Sequence, residues 1–148
     1  MAQDERARDP KPTEATVEKT DGEWREALSP EQYQVLRRHA TEPPGSSPLN
    51  VEKRDGTFRC AGCGQSLFDA GTKFESGSGW PSFFAPKDGA VDTTVDRSMF
   101  MERVEVHCSR CRGHLGHVFP DGPRPTGQRY CMNGCALEFE PKTKEDEV

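Results

Sequence analysis

Apolar residues recur at helical spacing near the start of the chain, and later only in short alternating runs. The helical region spans Glu23 to Ala40. Trp24 and Leu28 stand four apart and read as the inner side of one short helix. Tyr33, Val35, Leu36 and His39 then fall on or beside one face of a second. Ser29 suits an N-cap, Pro30 fits the first helical position, and Gln32 stands close to the capping-box site. Residues 41–48 contain three prolines and a glycine, so the helix stops there and an extended loop follows. From Val51 onward glycines and prolines interrupt every few residues. Val91–Val95, Met99–Val106 and Arg129–Phe139 alternate and are expected as strands, with Lys87–Gly89 and Pro120–Thr126 as turns or long loops. The pattern predicts a mainly β fold with a helical N-terminal cap.

The ends lack this patterning. Residues 1–22 hold no aromatic residue, and Val17 is their one large branched aliphatic. Such a segment buries too little to offset its ordering entropy, so a disordered tail is expected. Residues 141–148 read as a flexible C-terminal tail, leaving one domain over residues 23–140. The net charge of −5 comes partly from the tails. The N-terminal one carries six acids against four bases and the C-terminal one three against two, so the domain itself stands at −2. No basic stripe suggests nucleic acid. No apolar run suits a membrane span and no apolar leader is visible, so the expected location is cytoplasmic.

Candidate chemistry lies in the six cysteines. Cys60–Cys63 and Cys108–Cys111 are Cys-x-x-Cys pairs whose nearest members are 45 residues apart. A two-residue gap lets both thiolates of a turn face one point, and two such turns supply a tetrahedral four-sulfur site. That suits one structural Zn²⁺, with iron as an alternative, and leaves no open coordination position. Disulfides or redox dithiols are the competing readings.

Cys131 and Cys135 remain. Cys131 lies in RYCMNGCALEF, with Arg129 and Asn133 two residues to either side on the same strand face. A cationic neighbour lowers a thiol pKa, so Arg129 is expected to favour the thiolate. His114 and His117 follow the second cysteine pair, where the fold can carry them to Cys131. A lone strand cysteine is more often core filler, and a histidine beside a zinc knuckle is usually structural. The sequence therefore also fits a zinc-ribbon binding module, or a cysteine hydrolase with His114 or His117 as base.

Four segments, CAGCG, KFESGSGWPSFF, CSRCRGHLGHVFPDGP and RYCMNGCALEF, resemble in order the motifs of the B-type methionine sulfoxide reductases. The helical opening from Trp24 to Asn50 is similar too, so the resemblance covers roughly residues 23–140. It implies two antiparallel β-sheets with N-terminal helices, a structural zinc, and reduction of methionine-R-sulfoxide, mainly in proteins. By motif match Cys131 is the nucleophile, and His114 and His117 are the pair near the sulfoxide oxygen. Trp80 is the indole that contacts the substrate methyl group, and Arg129 and Asn133 are the flanking polar residues. The chemistry suits these types: a histidine protonates the sulfoxide oxygen, His117 first with His114 assisting, and the Cys131 thiolate attacks sulfur to leave a sulfenic acid.

One position departs from the motif. Many members carry a recycling cysteine where this chain has Ser78, so the usual disulfide with Cys131 is absent. A continuous strand would hold Cys131 and Cys135 roughly 13 Å apart, beyond disulfide reach. An external thiol, thioredoxin or a small thiol, is the expected reductant, ahead of Cys135.

Overall fold

The computed structural model of the protein describes residues 17–97 and 100–142. The rest of the expected tails lies outside the described residues. Helix α1 (Asp21–Ala27) starts two residues ahead of the expected boundary. The reason is a local signal the reading missed: Thr20 Oγ1 accepts from Glu23 N–H while the Glu23 carboxylate accepts from Thr20 N–H, a full capping box. Still earlier, Val17 N–H donates to the Arg110 carbonyl at 3.0 Å. Helix α2 (Pro30–Arg38) has the expected Ser29–Gln32 box and buries Tyr33, Val35 and Leu36.

Among the described residues nine strands follow: β1 (Gly56–Cys60), β2 (Ser66–Asp69), β3 (Lys73–Phe74), β4 (Ser82–Phe83), β5 (Val91–Asp96), β6 (Arg103–Cys108), β7 (His114–Phe119), β8 (Arg129–Met132) and β9 (Leu137–Pro141). They form two antiparallel sheets, in the orders β2-β1-β9 and β3-β4-β8-β7-β6-β5. The fold is mainly β with two N-terminal α-helices. Strand β6 begins at Arg103, later than the alternation suggested, and Pro141 belongs to β9 and not to a tail.

The single strand expected over Arg129–Phe139 is corrected. It divides into β8 and β9, which lie in different sheets, joined by a 3-10 turn over Gly134–Ala136. Glu42 explains the break. Its buried carboxylate accepts from Gly134 N–H at 2.8 Å and from Cys135 N–H at 2.9 Å, so these donors need no strand partner. Glycine is required at 134, because a Cβ there would stand 2.0 Å from Ser47 Oγ.

Cross-strand register sorts the six-stranded sheet into two faces. Phe83, Tyr130 and Val118 align across β4, β8 and β7 on the inner face, as do Met132, Gly116 and Val106 across β8, β7 and β6. That face meets the smaller sheet through rings. Phe83 stacks on Phe68 at 4.2 Å and takes the edge of Phe58 at 5.0 Å, and all three are fully buried. Burying each such side chain stabilises the fold by about 1.5–3 kcal/mol. The opposite face is left for polar and reactive groups.

Candidate active site

That second face carries a row of aligned residues: Ser82 on β4, Cys131 on β8, His117 on β7, Glu105 on β6 and Thr94 on β5. A parallel row, two residues along, runs from Arg129 through Phe119 and Arg103 to Asp96, with Arg103 placed by its pairing to Asp96. Cys131 and His117 are thus direct cross-strand partners. Strand alternation alone would put His114 and His117 on opposite faces, since they are an odd number apart. A β-bulge resolves this: Val106 pairs with Gly116 but His107 pairs with His114, so β7 gains one residue and its alternation flips. The two rings meet edge to face at 5.5 Å. Gly116 permits the close approach of β7 to β8, because a Cβ there would lie 2.1 Å from the Cys131 carbonyl oxygen.

A cavity of about 280 Å³ opens on this face. Cys131, His117, Trp80, Arg129, Asn133 and Ser78 line it, with Thr41, Arg103, Gly116 and Phe119 completing the wall. Trp80 is held by its indole N–H, which donates to the Glu42 carbonyl at 3.0 Å. Asn133 is 3% exposed and fixes the frame: its amide donates to the Leu115 carbonyl at 3.0 Å, and its Oδ1 accepts from Glu42 N–H at 2.9 Å. Ser78 Oγ lies 3.9 Å from Cys131 Sγ, and Ser76 Oγ is 2.8 Å from the hydroxyls of both Ser78 and Ser82.

Arg129 does favour the Cys131 thiolate, as does the Ser78 hydroxyl, but burial outweighs them and holds the thiol above its ordinary value of 9.0. Part of the Arg129 charge is spent on Asp121, which it grips with two hydrogen bonds of 2.9 and 3.2 Å. His117 is shifted below its ordinary 6.5 by burial, against the opposing pull of Asp96 Oδ2, 3.1 Å from its Nε2.

Of the residues read from the sequence, Cys131, His117, Trp80, Arg129 and Asn133 share the cavity. His114 stands behind it: it is 2% exposed, and its Nδ1 lies 2.6 Å from Glu105 Oε2. Cys135 opens onto a different hollow, beside Glu31 and Glu42, and burial with those two carboxylates pushes its thiol up to about 12. Arg103, Phe119, Asp96, Glu105 and Glu42 were not anticipated. Alternation along β5, β6 and β7 was the one available signal for the first four.

Cys60, Cys63, Cys108 and Cys111 converge, with all four sulfurs within 4.8 Å of one another. Cys60 ends β1 in the smaller sheet and Cys108 ends β6 in the larger. Each is followed by a tight turn, closed by Gly64 N–H on the Cys60 carbonyl and Arg112 N–H on the Cys108 carbonyl. The Cys60–Cys111 and Cys63–Cys108 sulfurs are 3.7 and 3.6 Å apart. A tetrahedron with bonds of about 2.3 Å has edges of about 3.8 Å, so the cluster fits a metal site. Among the described residues no helix is long and apolar enough to cross a membrane.

Fold and site define a cysteine-centred β domain whose two sheets meet at a four-thiol cluster. The chain belongs to the SelR-domain family, whose model matches residues 28–141. The chain is 54% identical to the peptide methionine sulfoxide reductase MsrB of Leptospira interrogans, over 84% of this chain and 95% of that protein. It is 55% identical to the protein of the same name from Pseudomonas putida strain F1, over 85% and 97%. For the Methanosarcina barkeri protein of that name the identity is 54%, over 88% and 91%. The family read from the four sequence motifs is the family shown.

Proposed function

We propose that this protein reduces the R epimer of methionine sulfoxide in proteins to methionine, with Cys131 as nucleophile. The observation that carries the reading is the pairing of Cys131 with His117 across β8 and β7, both opening into one cavity beside Trp80. The family membership and the names of the relatives support the same chemistry.

A sulfoxide sulfur becomes electrophilic once its oxygen is protonated. His117 supplies that proton and the Cys131 thiolate attacks the sulfur. A bond forms between the two sulfurs; the S–O bond breaks as the oxygen passes to Cys131, the sulfur–sulfur bond breaks with it, and methionine leaves with its sulfur reduced by two electrons. The oxygen ends on Cys131, which is oxidised by the same two electrons to a sulfenic acid. Trp80 gives the methyl group an apolar wall, Arg129 supplies positive charge beside the thiolate, and Asn133 holds the turn that follows Cys131. Cys60, Cys63, Cys108 and Cys111 would hold a zinc ion whose chemistry is structural, since four thiolates fill its coordination.

An external thiolate, from thioredoxin or a small thiol of the cytoplasm, attacks the Cys131 sulfur and releases the oxygen as water. A second thiol then resolves the mixed disulfide and restores Cys131. Ser78 cannot form an internal bridge, and the raised thiol of Cys135 on a separate hollow is a poor nucleophile. Mass spectrometry after one turnover without reductant is expected to find Cys131 as sulfenic acid. A Cys131–Cys135 disulfide would refute external regeneration.

The test of the reaction is an assay with R- and S-methionine sulfoxide peptides. Turnover of R alone is expected. Silence toward both epimers sinks the reading, and turnover of S alone sinks its stereochemistry.

The pH profile follows from the two shifts. The reactive form needs the imidazolium of His117 and the thiolate of Cys131 together. Between a histidine pKa below 6.5 and a thiol pKa above 9.0, a rise in pH loses imidazolium as fast as it gains thiolate. Their product stays constant there. The expected kcat/KM is a plateau that falls about tenfold per pH unit on the acid side, where thiolate vanishes, and likewise on the alkaline side, where imidazolium does. A steep single optimum near pH 7 would contradict the assignment.

A further inference from the structure

All four histidines of the chain gather at or beside one carboxylate. Glu105 is 9% exposed. Its Oε2 lies 2.7 Å from His39 Nδ1 and 2.6 Å from His114 Nδ1, and its Oε1 lies 3.7 Å from His107 Nε2. His114 is ringed by its relatives, with His39 at 5.2 Å and His117 at 5.5 Å between centroids. The neighbouring charges, Asp96 and Arg103, face each other at 3.2 Å.

The cluster is a hydrogen-bonded one and not a metal site. Contacts of 2.6 and 2.7 Å are charge-assisted hydrogen-bond lengths, whereas two ligands held at about 2.1 Å on a tetrahedral ion stand roughly 3.4 Å apart. Burial works to raise the Glu105 carboxyl, yet the nearby His107 imidazole and the hydrogen bond from His114 outweigh it and hold it well below the usual carboxylate range. An ionised carboxylate only accepts. Both Nδ1 atoms on Oε2 therefore carry protons.

Two further observations give this a direction. His114 Nε2 is buried and has no hydrogen-bond partner, so the ring is pinned at one nitrogen and open at the other. His39 caps helix α2 in the left-handed region, with φ of 62°. Few non-glycine residues adopt that conformation, and here it accompanies a side chain that reaches Glu105.

Resting on the reductase reading above, we propose that Glu105 is the positioning residue of the histidine pair. It takes the Nδ1 protons of His114 and His39 on one oxygen and fixes His114 as the neutral tautomer with a bare Nε2. A bare nitrogen accepts and does not donate. The two histidines then divide the work: His117 gives the proton to the sulfoxide oxygen, and His114, packed behind it, offers its bare nitrogen to the protonated His117 ring. His39 is the second peg, tying the end of α2 to the same oxygen.

The experiment is long-range ¹H–¹⁵N NMR of the histidine rings in the zinc-loaded full chain, with steady-state kinetics on R-sulfoxide peptide. The variants are E105Q, E105L and H39N. Wild-type His114 is expected to show a protonated Nδ1 and a bare Nε2. E105Q keeps an acceptor oxygen, so it should hold that tautomer and most of kcat. E105L should lose the tautomer and lower kcat about ten- to a hundredfold, the range for removing an orienting outer partner, with KM nearly unchanged. H39N should leave the His114 tautomer in place. A wild-type His114 that is an imidazolium or carries its proton on Nε2 at neutral pH overturns the proposal, and needs no variant to fold. So does an E105L protein that loses the tautomer and turns over at the wild-type rate. Absence of sulfoxide reduction in the wild type would remove the reductase reading while the ring spectra still decide the tautomer.

Discussion

Cys131→Ser is expected to lower turnover of R-methionine sulfoxide by about 10⁴-fold or more, the scale seen when a nucleophile is removed from an intact site. The substitution keeps the shape of the cavity, its pairing to His117 and its neighbours Trp80 and Arg129. It changes the attacking atom. A serine hydroxyl ionises far above neutral pH and its oxygen is a poor nucleophile toward sulfur, so neither thiolate-like reactivity nor a sulfenic acid is available. Circular dichroism should be unchanged, which separates lost chemistry from lost fold. Cys135→Ser is the internal comparison. It lies outside the cavity, and its removal should leave the thiol-dependent rate within about threefold. A Cys131→Ser protein with appreciable turnover would end the assignment. Equal losses in both variants would move Cys135 into the cycle.

The parts of this site legible in the sequence are those written in local spacing. Two Cys-x-x-Cys turns declare a metal cluster, Ser29-Pro30 with Gln32 declares a helix start, and Arg129 and Cys131 share a strand face. The parts that were not legible depend on register between distant segments. Nothing local in HLGHVF announces the bulge that brings His114 to the side of His117. Nothing in the run from Arg129 to Phe139 shows that Glu42, 92 and 93 positions upstream of Gly134 and Cys135, takes their backbone donors and breaks the strand. Arg129 illustrates a third kind of gap. Its position was read correctly, but its effect on Cys131 depends on burial, and burial prevails. The capping box at the start of α1 is fully local, written in Thr20 and Glu23.

Metal removal is expected to have the largest effect on stability. The cysteine cluster joins the last residue of β1 in one sheet to the last residue of β6 in the other. Helix α2 is drawn to the same place, since Arg37 donates to the Cys111 carbonyl at 2.9 Å and a Cβ on Gly113 would stand 2.8 Å from Leu36. Without an ion, four thiolates at this spacing repel and the thiols satisfy one another poorly, so both turns open. Structural zinc contributes about 10–16 kcal/mol in small zinc domains, against total stabilities of about 5–15 kcal/mol for ordinary proteins. Loss of such an ion is therefore expected to unfold the chain. Elemental analysis of the purified protein should find one zinc per chain. Chelation should abolish the cooperative thermal transition and the dispersed amide spectrum, and returning zinc should restore both. Cys60→Ser should behave like the chelated protein, because it removes a ligand from the β1 side. A metal-free protein that melts cooperatively at the same temperature would show that hydrogen bonds and the aromatic core hold the sheets unaided, and the cluster would then have to be read as chemistry instead of as a staple.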